Sequence, residues 1–274
     1  MPGLDSRTAA DAVERELRAA GTAERAAQEK RYLKSSVEHL GADVPTIRGA
    51  VGRFQRAHPG LGRGEITVLV DELWGRGIFD LRFWAVELLV ASGELLGAKD
   101  VRLLERLLRT SHTWALVDGL AVHCLGPLAE RDAIVRKLLP RWGRDPDFWI
   151  RRSALLAHLL ALRDGRGDLA AFGRIADPLL EDREFFIRKA IGWILRDTGK
   201  RDPAGVAAWL LPRAARASPL TVREALKYLP AASAARIRRA AAGYAGAARQ
   251  PRTRGSDGGP SAASRSRSSA SRRG

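Results

Sequence analysis

An all-α fold, a solenoid of HEAT-like helical hairpins, is what this sequence predicts. Three observations support it. From about residue 4 to residue 246, apolar residues recur at spacings of three and four, and Gly, Asp-Pro or Ser marks the breaks. No alternating strand pattern competes. Similar strings also return about every 35 residues. FWIRRSALLAHL aligns with FFIRKAIGWILR at an offset of 37, placing Phe148 on Phe185, Ile150 on Ile187, Arg151 on Arg188 and Arg152 on Lys189. Stepping back 34 from Phe148 gives Trp114, with Asp118 under Arg152, and a further 35 gives Phe79. Two helices fit such a period, so stacked second helices would line a concave, basic surface. A non-repetitive helical bundle is the competing architecture.

The elements follow in order. MPGLDSRTAADAVERELRAAG reads as a charged amphipathic opening helix, without the apolar run of a signal peptide. Nothing later approaches the roughly 18 apolar residues of a membrane span, so no membrane is expected and a cytoplasmic location is. RKLLPRWG, DPDFWIRRSALLAHLLALRDG, EFFIRKAIGWILRDTG and DPAGVAAWLLPRAARAS supply helices whose ends carry Asp, Pro or Gly. The repeat domain should occupy residues 1–246. From 247 to 274 the chain is rich in Gly, Ser, Pro and Arg without apolar periodicity, and reads as a disordered tail. Its arginines would hold DNA weakly, or simply aid solubility.

Composition bears on partners and chemistry. Lys and Arg number 47 against 31 Asp and Glu, a formal charge of +16, which favours association with polyanions and above all nucleic acid. The single cysteine, Cys124, excludes an internal disulfide. His123, Cys124 and His158 are too few and too irregular for a metal centre, so no metal is expected. GRGDLA and LGRGE lack the strand-loop-helix setting of a phosphate loop. No Ser-His-Asp or lysine nucleophile motif stands out.

The repeat register places Asp118, Arg152 and Lys189 at one position of three successive units. Trp114 lies one turn before Asp118, and Trp193 one turn after Lys189. The expected result is a cationic row with two indoles and one carboxylate. Each member also has an ordinary reading: the tryptophans as core, the cations as solvated surface, Asp118 as the partner of a nearby arginine. Within a DNA groove, however, a carboxylate repels phosphate and should face something positive. A purine alkylated at N3 or N7 carries such a charge, and so does the oxocarbenium-like sugar formed as that base departs. An ionised carboxylate stabilises that charge and orients water, and indole faces add cation-π attraction of about 0.5–2 kcal/mol each.

These residues resemble the HEAT-repeat DNA alkylation-repair glycosylases of the AlkD type. The resemblance spans roughly residues 5–235 and rests on RYLKSSVEHLGADVPTIR, TWALVD, DFWIRRSALL, EFFIRKAIGWILRDTGKRDP and REALKYL. It implies a monofunctional glycosylase that excises cationic 3- and 7-alkylpurines from duplex DNA, with no cofactor. Asp118 matches the catalytic carboxylate, Trp114 and Trp193 the aromatics beside the lesion, and Arg152 a phosphate-gripping arginine. Tyr32 and Arg196 match further groove residues, and Lys189 joins the DNA-binding row. The family usually has WWDxVD where TWALVD stands, so Thr113 and Ala115 replace a Trp and an Asp, a change read as local packing. The loop LRDGRGDLA is slightly longer than in the family. A monomer with no obligate protein partner is expected. A non-catalytic DNA- or damage-binding module and a protein-interaction scaffold are the alternatives.

Overall fold

Helices account for nearly all of the regular structure in the computed structural model, which describes residues 4–243. The tail assigned to residues 247–274 lies outside the described residues. In chain order the helices are α1 Ser6–Ala20, α2 Ala23–Leu33, α3 Val44–Ala57, α4 Arg63–Gly75, α5 Phe79–Ala91, α6 Val101–Arg109, α7 Trp114–Leu120 and α8 Gly126–Arg131. There follow α9 Ala133–Trp142, α10 Phe148–Leu156, α11 Leu159–Arg163, α12 Leu169–Ala176, α13 Phe185–Thr198, α14 Pro203–Leu210, α15 Pro219–Ala225 and α16 Ala231–Ala241. Among the described residues there is no strand; one isolated parallel bridge joins Glu38 to Ile78.

Capping chemistry explains where several helices begin. Asp147 accepts from Trp149 N at 2.8 Å, Asp168 from Ala170 N at 2.8 Å and Ser218 from Thr221 N at 3.1 Å, each satisfying a donor that has no partner within its helix. Pro203 and Pro219 open α14 and α15, where a missing N–H costs nothing.

The repeat is real and its phase is as read. Second helices of successive hairpins begin at Phe79, Trp114, Phe148, Phe185 and Pro219, steps of 35, 34, 37 and 34. Each packs on the next: α5 on α7, α7 on α10, α10 on α13, α13 on α15. The first helices α4, α6 and α9 pack behind α5, α7 and α10. A continuous apolar core runs between the layers through Leu69, Trp84, Leu104, Trp142, Phe172 and Ile191.

Polar links repeat with the same period. Arg109 reaches Asp145 at 2.7 Å, Arg216 reaches Glu181 at 2.7 Å, and Trp74 Nε1 donates to Thr110 Oγ1 at 2.9 Å; their separations are 36, 35 and 36 residues. Of these only the Arg216–Glu181 pair is exposed, where an ion pair contributes little, but all three mark the register. One irregularity lies beside the candidate site. After α7 the chain makes a π turn over Ala121–Leu125, with Gly126 N–H reaching Ala121 O, five residues back. Such turns often accompany functional positions.

Candidate nucleic-acid interface and active site

Trp114 opens α7, and Asp118 follows one turn later on the same face. Asp118 is met from the next repeat by Arg152 of α10. Arg152 Nε donates to Asp118 Oδ1 at 2.7 Å and Nη2 to Oδ2 at 2.8 Å, a bidentate pair across 34 residues. The remaining nitrogen, Nη1, donates to the Phe186 carbonyl at 2.5 Å, and the guanidinium lies 5.6 Å over the Phe186 ring. Arg152 is 3% exposed, whereas the Asp118 side chain keeps 15% of its surface. The arginine is therefore an internal strut, and the carboxylate it holds keeps a small part of its surface exposed. Burial pushes the Asp118 carboxyl up from its ordinary value of 3.8, and the Arg152 donors oppose that shift.

Farther along the solenoid, Lys189 and Arg196 of α13 share one acceptor. Lys189 Nζ donates to Glu224 Oε1 at 2.8 Å and Arg196 Nη1 to Glu224 Oε2 at 2.7 Å. This brings α15 against α13. The ammonium of Lys189, with help from Arg196, holds the Glu224 carboxyl below its ordinary value. Trp193 Nε1 donates to Asp197 Oδ2 at 3.2 Å, and Arg196 Nε donates to Asp197 Oδ1 at 3.3 Å.

The aligned position thus holds two closed pairs rather than three parallel charges: Asp118 with Arg152, and Lys189 with Glu224. Asp118 does face something positive, and in this structure that partner is Arg152. Arg152 would have to release Asp118 or Phe186 before gripping a phosphate. Tyr32, on α2, sits edge-on to Trp114 at 5.8 Å between ring centroids while 73% exposed. The structure therefore gathers Asp118, Arg152, Trp114 and Tyr32 in one place, and Lys189, Trp193 and Arg196 around Glu224 and Asp197. Phe186 links them through its carbonyl to Arg152. Glu224, Asp197 and Phe186 were not singled out in the sequence, although the first lies in REALKYL and the others in EFFIRKAIGWILRD.

Thr113, where the resemblance noted a departure, is buried at the start of α7, and its hydroxyl has no hydrogen-bond partner. Among the described residues one grouping of three candidate metal ligands exists, Glu29, His39 and Asp80, and it does not include Asp118.

A bidentate carboxylate-arginine pair between stacked hairpin helices, with the half-buried Trp114 one turn before the carboxylate, marks an all-α repeat protein with one oriented carboxylate. Over residues 13–229 the chain matches the DNA alkylation repair enzyme family, and it belongs to that family. Every residue of the site lies within the matched span. A solved structure described as a predicted DNA alkylation repair enzyme from Enterococcus faecalis superposes with a TM-score of 0.67 at 21% identity, covering 77% of this chain and 97% of its own. AlkD2 from Streptococcus mutans superposes with a TM-score of 0.54 at 16% identity, covering 76% and 99%. At these identities the likeness is one of fold. No curated protein matches the chain. No described helix is long and apolar enough to cross a membrane.

Proposed function

We propose that the protein is a monofunctional DNA glycosylase that hydrolyses the N-glycosidic bond of cationic N3- or N7-alkylated purines in duplex DNA. The observation that carries this reading is the Asp118 carboxylate, held by two Arg152 donors, still 15% exposed, and one helical turn after Trp114. Family membership and the charge of +16 support a DNA substrate.

Alkylation has already made the base a cation, so no general acid is needed to expel it. Water oxygen bonds to C1′ as the C1′–N bond breaks. The bonding pair stays on the purine nitrogen and cancels the ring's positive charge. Asp118 faces the positive charge growing on the sugar, orients the water, and passes its proton on to solvent. Trp114 and Trp193 present indole faces to the cationic nucleotide. Arg152 fixes the carboxylate, while Lys189, Arg196 and Tyr32 contact the DNA strand along a basic concave groove. The product is an abasic site. The protein works as a monomer, at the nucleoid.

The closed Asp118–Arg152 pair also favours a second reading, in which it is a structural strut in a non-catalytic DNA- or damage-binding protein. The two readings separate in one assay. Purified protein incubated with methylated duplex DNA should liberate 3-methyladenine and 7-methylguanine, detected by mass spectrometry. Normal binding with no released base would favour the second.

A further inference from the structure

Behind the arm that carries Tyr32 lies a second cluster of chemistry-bearing side chains. Glu29 comes from α2, His39 from the loop after it and Asp80 from α5. One ligand atom from each lies within 4.8 Å of the others. His39 Nδ1 is 3.1 Å from Glu29 Oε2, and its side chain is only 1% exposed. Its ring stacks on Phe79 at 4.5 Å. The other ring nitrogen, Nε2, is buried without a hydrogen-bond partner. Asp80 is fully buried and accepts from Leu40 N at 2.7 Å and Ala42 N at 2.9 Å.

The charge balance of this cluster is unusual for so basic a chain. Among the described residues Asp80 has no salt-bridge partner, and Glu29 meets, besides His39, only the edge of Arg25 at 4.0 Å. Two carboxylates and an imidazole are therefore packed together, with no arginine among the three ligand atoms that lie within 4.8 Å of one another. Buried charges without a counter-charge are costly, and paired or metal-bound ones are the usual solution. Each Asp80 oxygen uses one acceptor direction on an amide and retains another.

We propose that Glu29, His39 and Asp80 form a binding site for a divalent transition metal of the zinc class. One imidazole nitrogen and two carboxylate oxygens suit a tetrahedral ion with water as the fourth ligand, at about 2.0–2.2 Å from each donor. The imidazole favours zinc or cobalt over magnesium, which prefers six oxygen ligands. Glu29, the least buried of the three, gives the ion its entry. The ion would tie α2, the loop through His39 and the start of α5 together, so Tyr32 is held against Trp114 by a fixed arm. This site is independent of the glycosylase reading.

Untagged full-length protein, stripped with EDTA and dialysed, should bind about one Zn2+ per chain in a calorimetric titration, while Mg2+ binds weakly or not at all. Zn2+ in excess should raise Tm by about 2–4 °C or more. Co2+ should give visible d–d absorption that added Zn2+ abolishes. His39→Phe keeps a ring to stack on Phe79, and Glu29→Gln keeps the volume of α2's side chain. Both should fold, by circular dichroism, and lose zinc binding at least tenfold together with the Tm response. Substoichiometric zinc uptake by the wild-type chain, an unchanged Tm, or zinc binding retained in both folded variants would overturn the site.

Discussion

Arg152 holds Asp118 from one repeat away, with two donors at 2.7 and 2.8 Å and only 3% of the arginine exposed. The site carboxylate is thus part of the solenoid's internal bonding as well as its surface. Removing the guanidinium leaves a largely buried carboxylate without its partner, which costs about 3–5 kcal/mol. Arg152→Ala should therefore lower the urea midpoint substantially. Arg152→Lys cannot form the bidentate contact and should fall between wild type and Ala. A midpoint unchanged in both would show that the pair contributes nothing to folding.

Asp118 also sets a pH dependence. Its carboxyl is raised above its ordinary 3.8, so the ionised form that the proposed glycosylase reaction needs appears at higher pH than for a solvated aspartate. Base release should fall as pH drops, with an acid limb whose midpoint lies above the ordinary carboxylate value. The residual rate of Asp118→Asn should lack that limb.

Glu224 behaves oppositely. Its folded-state pKa is lowered from 4.5, so the stability it contributes is present above that value and is lost as pH falls through the folded-state pKa. Glu224→Gln should remove part of the acid sensitivity of unfolding, read as a flatter plot of urea midpoint against pH. It also frees Lys189 and Arg196 for phosphate. Affinity for undamaged duplex DNA should rise, and the slope of log K against log salt should steepen by up to about 1. Weaker binding with an unchanged slope would mean that Glu224 serves the DNA by holding the two cations in place.

Tyr32 is mostly exposed and touches the site only through the edge contact with Trp114. An aromatic pair of that kind contributes about 0.5–1.5 kcal/mol. Tyr32→Ala should lower the urea midpoint only slightly, by no more than that pair's worth, while weakening binding to lesion-containing duplex several-fold in a fluorescence anisotropy titration. Equal loss of stability and binding would place Tyr32 in the fold instead.

The fold was largely legible because a period near 35 is a property of sequence. The first residues of α5, α7, α10 and α13 are the aligned Phe79, Trp114, Phe148 and Phe185. The offset of 34 that put Asp118 under Arg152 is also the separation across which they bond. What the register did not reveal is the sign of each neighbour. Glu224 falls one position beyond the aligned Arg223, so its neutralisation of Lys189 and Arg196 was invisible until α15 packed on α13. Arg152 looked like an exposed cation because a single string does not disclose the Phe186 carbonyl that buries it. The cluster of Glu29, His39 and Asp80 joins residues 10 and 41 positions apart, which fit no metal-ligand spacing motif.

The central claim is that the carboxylate of Asp118 stabilises the departing base's transition state. Its most direct test is single-turnover release of 7-methylguanine from a defined duplex by wild type, Asp118→Asn and Asp118→Ala, with DNA affinity measured alongside. A fall of about tenfold or more in rate, equal to some 1.4 kcal/mol of barrier, with affinity held or raised, is the predicted result. Equal rates in all three proteins would contradict the account and leave Asp118 as the partner that keeps Arg152 buried.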